Sequence, residues 1–81
     1  MAGGLDGQTL GECVRHSMTT YFAEMNGHAP ADLYELVLSQ IEQPLLSVVM
    51  QQTRGNITRA ATILGLNRAT LRKKLKKYHI D

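Results

Sequence analysis

Apolar residues recur at helical spacing in separate stretches along the chain, which predicts an all-α fold. In the first stretch Leu10, Val14, Met18, Tyr21, Phe22 and Met25 fall on one stripe, offset by +4, +8, +11, +12 and +15 from Leu10. Thr9-Leu10-Gly11-Glu12 before it has the form of a capping box, in which each side chain satisfies a backbone N–H of the other residue. Asn26-Gly27 stops the helix. The stripe reads as a core face rather than the lining of a ligand pocket. Residues 1–8 contain Gly3, Gly4 and Gly7 and almost nothing to bury, so they read as a disordered N-terminal end.

A short link through Pro30 leads to the longest helix, expected from Leu33 to about Thr53, with Asp32 as its cap and Glu35 as the reciprocal partner. Tyr34, Val37, Leu38, Ile41, Leu45, Val48 and Val49 share one broad face, while Leu36, Leu46 and Met50 gather on a second. A helix apolar on two sides belongs in a core shared between chains. The expectation is therefore a symmetric homodimer with this helix at its centre and Leu36, Leu46 and Met50 at the dimer interface. Pro44, in mid-helix, removes a backbone donor and crowds the preceding turn, so a kink is expected. The apolar register continues from Leu38 and Ile41 through Leu45 and Val48, which favours a kink over a break at Gln43. Residues 9–53 thus read as a two-helix dimerisation core.

The remaining stretch, 54–81, reads as two short helices joined by a tight turn. Asn56 caps the first, whose inward positions are Ile57, Ala60, Ala61 and Leu64. The small alanines suit the close approach of another helix. Gly65 provides the left-handed stop, Leu66 an apolar anchor in the turn, and Asn67 a second cap. In the last helix Leu71, Leu75 and Tyr78 point inward, leaving Ala69, Arg72, Lys73 and Lys76 outward. That is the layout of a helix-turn-helix, whose second helix enters the DNA major groove N-terminal end first. Helix–Gly–helix alone also describes an ordinary αα-hairpin with a solvated basic face. The Asn67-Arg68 start and the basic outward side favour DNA.

Charge sharpens this picture. Residues 1–53 carry Arg15 against six carboxylates, a net of −5, whereas residues 54–81 carry eight cations against Asp81, a net of +7. Such asymmetry assigns a polyanion partner to the C-terminal third. With 81 residues the chain is one small domain, burying only about 60–65% of its unfolded surface, so a lone monomer would be marginal. Cys13 has no partner for an intramolecular disulfide, which fits a reducing cytoplasm. No apolar run is long enough to span a membrane, and the N-terminus lacks the order of a signal peptide.

Asp32-Leu33-Tyr34-Glu35-Leu36-Val37-Leu38, Glu42-Gln43-Pro44-Leu45-Leu46, Thr53-Arg54-Gly55-Asn56 and Leu71-Arg72-Lys73-Lys74-Leu75-Lys76-Lys77-Tyr78 closely resemble the Fis family of bacterial nucleoid-associated proteins. The resemblance runs from about Thr9 to the C-terminus. It implies a four-helix intertwined homodimer with a kinked central helix, a cytoplasmic, nucleoid-associated protein that bends DNA, regulates transcription with the transcription machinery among its partners, and stimulates recombination. By the same resemblance Asn67, Arg68 and Arg72 are base-contacting, with Arg68 the reader of a guanine. Arg54, Asn56, Thr58, Thr70, Lys73, Lys74 and Lys77 are phosphate-contacting. Fis proteins commonly carry an N-terminal β-hairpin arm that touches a recombinase. Met1 to Gln8 are too few and too rich in glycine for that arm, so a recombinase contact is not expected. A similar helix-turn-helix closes enhancer-binding activators of the NtrC type, where it follows an ATPase domain.

The rival reading is an interaction module whose basic helix serves an acidic protein or RNA, or a stand-alone relative of the NtrC-type DNA-binding domain. RNA is disfavoured, because A-form major grooves exclude a helix and the basic segment offers only Tyr78 for stacking. An enzyme is not expected. His16, His28 and His79 are scattered, Cys13 with His16 would supply only two metal ligands, and Glu35 and Glu42 have no evident catalytic partner. Neither a metal nor a cofactor is expected.

Overall fold

The computed structural model describes residues 9–26 and 31–80, and among them the secondary structure is four α-helices: α1 (Leu10–Glu24), α2 (Leu33–Gln52), α3 (Ile57–Leu64) and α4 (Arg68–Lys77). The N-terminal end over 1–8, Pro30 and His28 in the link, and Asp81 lie outside the described residues. The chain divides into two compact units, Met1–Ala31 and Asp32–Asp81.

In the first unit α1 opens with the expected capping box: Glu12 N–H donates to Thr9 Oγ1 at 3.0 Å and Thr9 N–H to Glu12 Oε1 at 2.9 Å. Asn26, in the left-handed region at φ 54°, follows its end. Taken by itself the helix leaves its apolar stripe open, with Leu10 and Phe22 about half exposed. The Tyr21 and Phe22 rings meet edge to face.

The second unit is a three-helix cluster. Its core is Leu46 and Met50 from α2, Ala60 and Ala61 from α3, and Leu71 and Leu75 from α4, flanked by Val49, Ile57, Leu64, Leu66, Tyr78 and Ile80. The α3 alanines and the inward leucines of α4 are where their periodicity puts them. The second face of α2 is not. Leu46 and Met50, expected to meet a partner chain, are 2% and 5% exposed inside this one chain. They form the floor on which the helix-turn-helix sits. Leu36 stands roughly 80° round the helix from Leu46 and remains exposed, so it does not share their environment. The division expected between 53 and 54 accordingly does not follow the packing, because the last turns of α2 belong to the same core as α3 and α4.

Of two further details of α2, one departs from expectation and one agrees with it. Asp32 sits in the left-handed region at φ 57° and makes no side-chain cap bond, so the anticipated capping box is absent. That backbone turns its carboxylate off the first-turn N–H groups, and Glu35 reaches toward α4 instead. The helix runs unbroken through Pro44, which settles the choice against a break at Gln43.

All three helices of this unit end alike. A residue in the left-handed region (Arg54, Gly65 or His79) is followed by an N–H that reaches back five residues: Gly55 to Met50, Leu66 to Ala61 and Ile80 to Leu75. This is the Schellman closure, and at α3 and α4 the residue after the turn, Leu66 or Ile80, packs on the core. Gly65 takes φ 74° at no steric cost, whereas Arg54 and His79 carry a β-carbon into the same region. Among the described residues, no helix is long and apolar enough to cross a membrane.

Candidate nucleic-acid interface

Two asparagines set the helix-turn-helix. Asn56 Oδ1 accepts from Arg59 N–H at 3.1 Å and Asn67 Oδ1 from Thr70 N–H at 2.8 Å, fixing the starts of α3 and α4. Each cap uses the amide oxygen and leaves the NH2 group able to donate to a base or phosphate acceptor. The first-turn N–H groups of both helices carry partial positive charge, a polarity suited to anions.

On α4 the inward positions Leu71 and Leu75 are buried and Tyr78 is half buried. Their burial fixes the rotation of the helix and turns Arg68, Ala69, Arg72, Lys73 and Lys76 to solvent. Arg68 is the first residue of the helix, and Arg72 stands one turn further on the same side. Ala69 between them ends at its β-carbon, so nothing on that strip holds a nucleic acid off. Thr58 and Arg54 are exposed, and Thr70 is half buried beside its cap. The last turn holds Lys74, Lys76 and Lys77 at the negative end of the helix dipole, which favours them there.

Two of the expected phosphate holders are tied to α2. Lys74 Nζ lies 2.7 Å from Glu42 Oε2, and Tyr78 OH donates to Glu42 Oε1 at 2.6 Å. Lys77 Nζ lies 3.3 Å from Glu35 Oε1 and 5.3 Å from the centre of the Tyr78 ring. The Lys74 bond, with Tyr78 adding to it, holds the Glu42 carboxyl below its ordinary value against the opposing effect of burial. Glu35 raises the Lys77 ammonium in turn.

Glu35 and Glu42 are the residues that sequence reasoning missed. The signal was their spacing: two turns apart, they share the α2 face that continues into Leu46, opposite a lysine and tyrosine one turn apart on α4. Thr53 was also missed. It is the buried polar residue of this core, its hydroxyl donating to the Val49 carbonyl at 3.0 Å. As for metals, Cys13 and His16 lie a turn apart on α1, and among the described residues no group of three His, Cys, Asp or Glu side chains gathers.

Residues 37–78, from the second turn of α2 to the residue after α4, match the family described as bacterial regulatory protein, Fis family. The chain is 58% identical over 76 residues to the DNA-binding protein Fis of Psychromonas ingrahamii, covering 94% of this chain and 77% of that protein. It is 61% identical over 72 residues to the DNA-binding protein Fis of Yersinia enterocolitica, covering 89% and 74%. The same figures hold for the DNA-binding protein Fis of Pectobacterium carotovorum. The matched span takes in most of the unit just described, from Val37 through Glu42 and the Gly65 turn to Tyr78, and the chain belongs to the Fis family of bacterial regulatory proteins.

Proposed function

We propose that the chain binds and bends duplex DNA as a homodimer and acts at the nucleoid in the cytoplasm as a transcriptional regulator rather than as an enzyme. The observation that carries this reading is the solvent face of α4. Arg68, Arg72, Lys73 and Lys76 surround Ala69 on a helix whose N-terminus is capped and whose rotation is fixed by Leu71 and Leu75. The names of the relatives point the same way. Arg68, Arg72 and the Asn67 amide contact bases. Arg54, Asn56, Thr58, Thr70, Lys73 and Lys77 hold phosphates, the Lys77 pair being solvent-exposed and easily exchanged for one.

The second copy covers α2 on the side away from the helix-turn-helix. Tyr34, Leu45 and Val48 are 77%, 48% and 53% exposed there, too much apolar surface on one side of a helix to leave in water. Two α4 helices on a dimer with α2 bent at Pro44 would meet successive major grooves when the DNA bends toward them. Flexible steps between the half-sites then contribute to selection.

The test separates base reading from phosphate holding. An arginine fork pairs with both guanine acceptors, whereas a lysine offers one charge to a phosphate. Arg68→Ala should cost about 1–3 kcal/mol per lost base contact and flatten the preference for a selected duplex over a scrambled one. Lys73→Ala should weaken both equally and reduce the salt slope by about two units per dimer. Equal loss on both duplexes for Arg68→Ala would make it another phosphate holder. Preference for RNA or heparin over duplex DNA at one salt concentration would overturn the reading itself.

A further inference from the structure

We propose that Glu42 is a built-in brake on DNA affinity: it holds the α4 cation Lys74 against α2 and withholds it from the phosphate backbone. The proposal rests on the DNA-binding reading above and concerns how many of the α4 cations that surface can use.

The two ion pairs between α2 and α4 differ in kind. In Lys77–Glu35 the groups are 3.3 Å apart and the side chains are 50% and 62% exposed. Water and salt screen such a pair, so a phosphate replaces the carboxylate at little cost. In Lys74–Glu42 the separation is 2.7 Å and the side chains are 30% and 15% exposed. Glu42 also accepts from Tyr78 OH at 2.6 Å, one helical turn further along α4, so its two oxygens are each engaged by that helix. Moving Lys74 to a phosphate would leave a largely enclosed carboxylate with a single hydroxyl partner. It would also bring a second anion close to that carboxylate. Both effects oppose the exchange, because a charge removed from water is costly once its partner leaves. Lys74 therefore acts as a strut between α2 and α4, and the protein binds DNA less tightly than its count of cations would allow.

The test compares the wild-type chain with Lys74→Gln, Glu42→Gln and the double variant, each titrated on one duplex between about 50 and 200 mM salt. Each phosphate contact contributes about 0.9 to the slope of log affinity against log salt. Lys74→Gln should leave the wild-type slope unchanged. Glu42→Gln releases the ammonium, tightens binding and steepens the slope by about 0.9 per chain. The loss of affinity across that salt range then deepens roughly 3.5-fold per chain. The double variant should return to the wild-type slope, which a general gain of positive charge would not explain. A slope flattened by about 0.9 per chain in Lys74→Gln would show Lys74 already on a phosphate and overturn the proposal. So would an unchanged slope in folded Glu42→Gln. If either variant fails to fold, the Lys74 ammonium resonance of the wild-type chain decides: unmoved on saturation with duplex supports the brake, and shifted overturns it. Failure of the wild-type chain to bind duplex at all would instead remove the DNA-binding reading on which the brake depends.

Discussion

Glu42 accepts from Lys74 and Tyr78 with its two carboxylate oxygens, and this makes a pH-dependent contribution to stability. Its carboxyl is held below the ordinary 4.5, first by the Lys74 bond and then by Tyr78. A carboxyl depressed in the folded state stabilises fully above its unfolded value, and the contribution is lost as pH falls through the folded one. Glu42→Gln should therefore destabilise at neutral pH, and its deficit against wild type should shrink as pH drops below about 4.5. Urea unfolding of both chains at neutral pH and at about pH 3 measures the deficit; an equal gap at the two would assign it to shape rather than charge. The exposed Lys77–Glu35 pair has the opposite sense. The raised ammonium of Lys77 contributes below 10.5 and is lost as pH rises through its folded value.

The helix-turn-helix holds its angle through its ends more than through its length. At eight and ten residues α3 and α4 are too short to persist alone in water, so caps and packing carry them. Asn67→Ala removes the oxygen that accepts from Thr70 N–H and leaves that donor to solvent. It should lower stability by about 1 kcal/mol and fray the first turn of α4, where Arg68 sits. Chemical denaturation gives the loss, and amide exchange at Thr70 should quicken more than at Leu75. Equal quickening at both would mean that the cap supports the unit as a whole instead of its own turn.

The second unit encloses six apolar residues, a core too small to make a robust monomer. The proposed dimerisation through the exposed Tyr34, Leu45 and Val48 predicts a melting temperature that rises with protein concentration by mass action. Leu45→Glu, on that exposed side, should give monomers in sedimentation while leaving the fold of the unit in place. Leu46→Glu should unfold it, because that side chain is 2% exposed among α3 and α4. If Leu45→Glu stays dimeric and Leu46→Glu stays folded, the assignment of the two faces is reversed.

Asn56, Gly65 and Asn67 were legible in the chain because each answers a demand made within four residues: a free N–H to cap, or a left-handed turn to close. The inward and outward sides of α4 were legible for the same reason, since helical periodicity alone separates Leu71 and Leu75 from Arg72 and Lys73. The roles of the α2 faces were not. Both are apolar, and which one meets the helix-turn-helix depends on how the chain leaves α2 through the left-handed pair Arg54-Gly55. That exit laid α3 and α4 over Leu46 and Met50 and left Leu45 and Val48 outside. Asp32 reads as a cap from its neighbours, yet its left-handed backbone overrides the local preference. Lys74 and Lys77 look like any other cations on a basic helix, and their carboxylate partners stand 32 and 42 residues earlier. Interactions that close within a helical turn are written in the residues that make them, whereas those that join distant helices exist only once packing has brought the helices together.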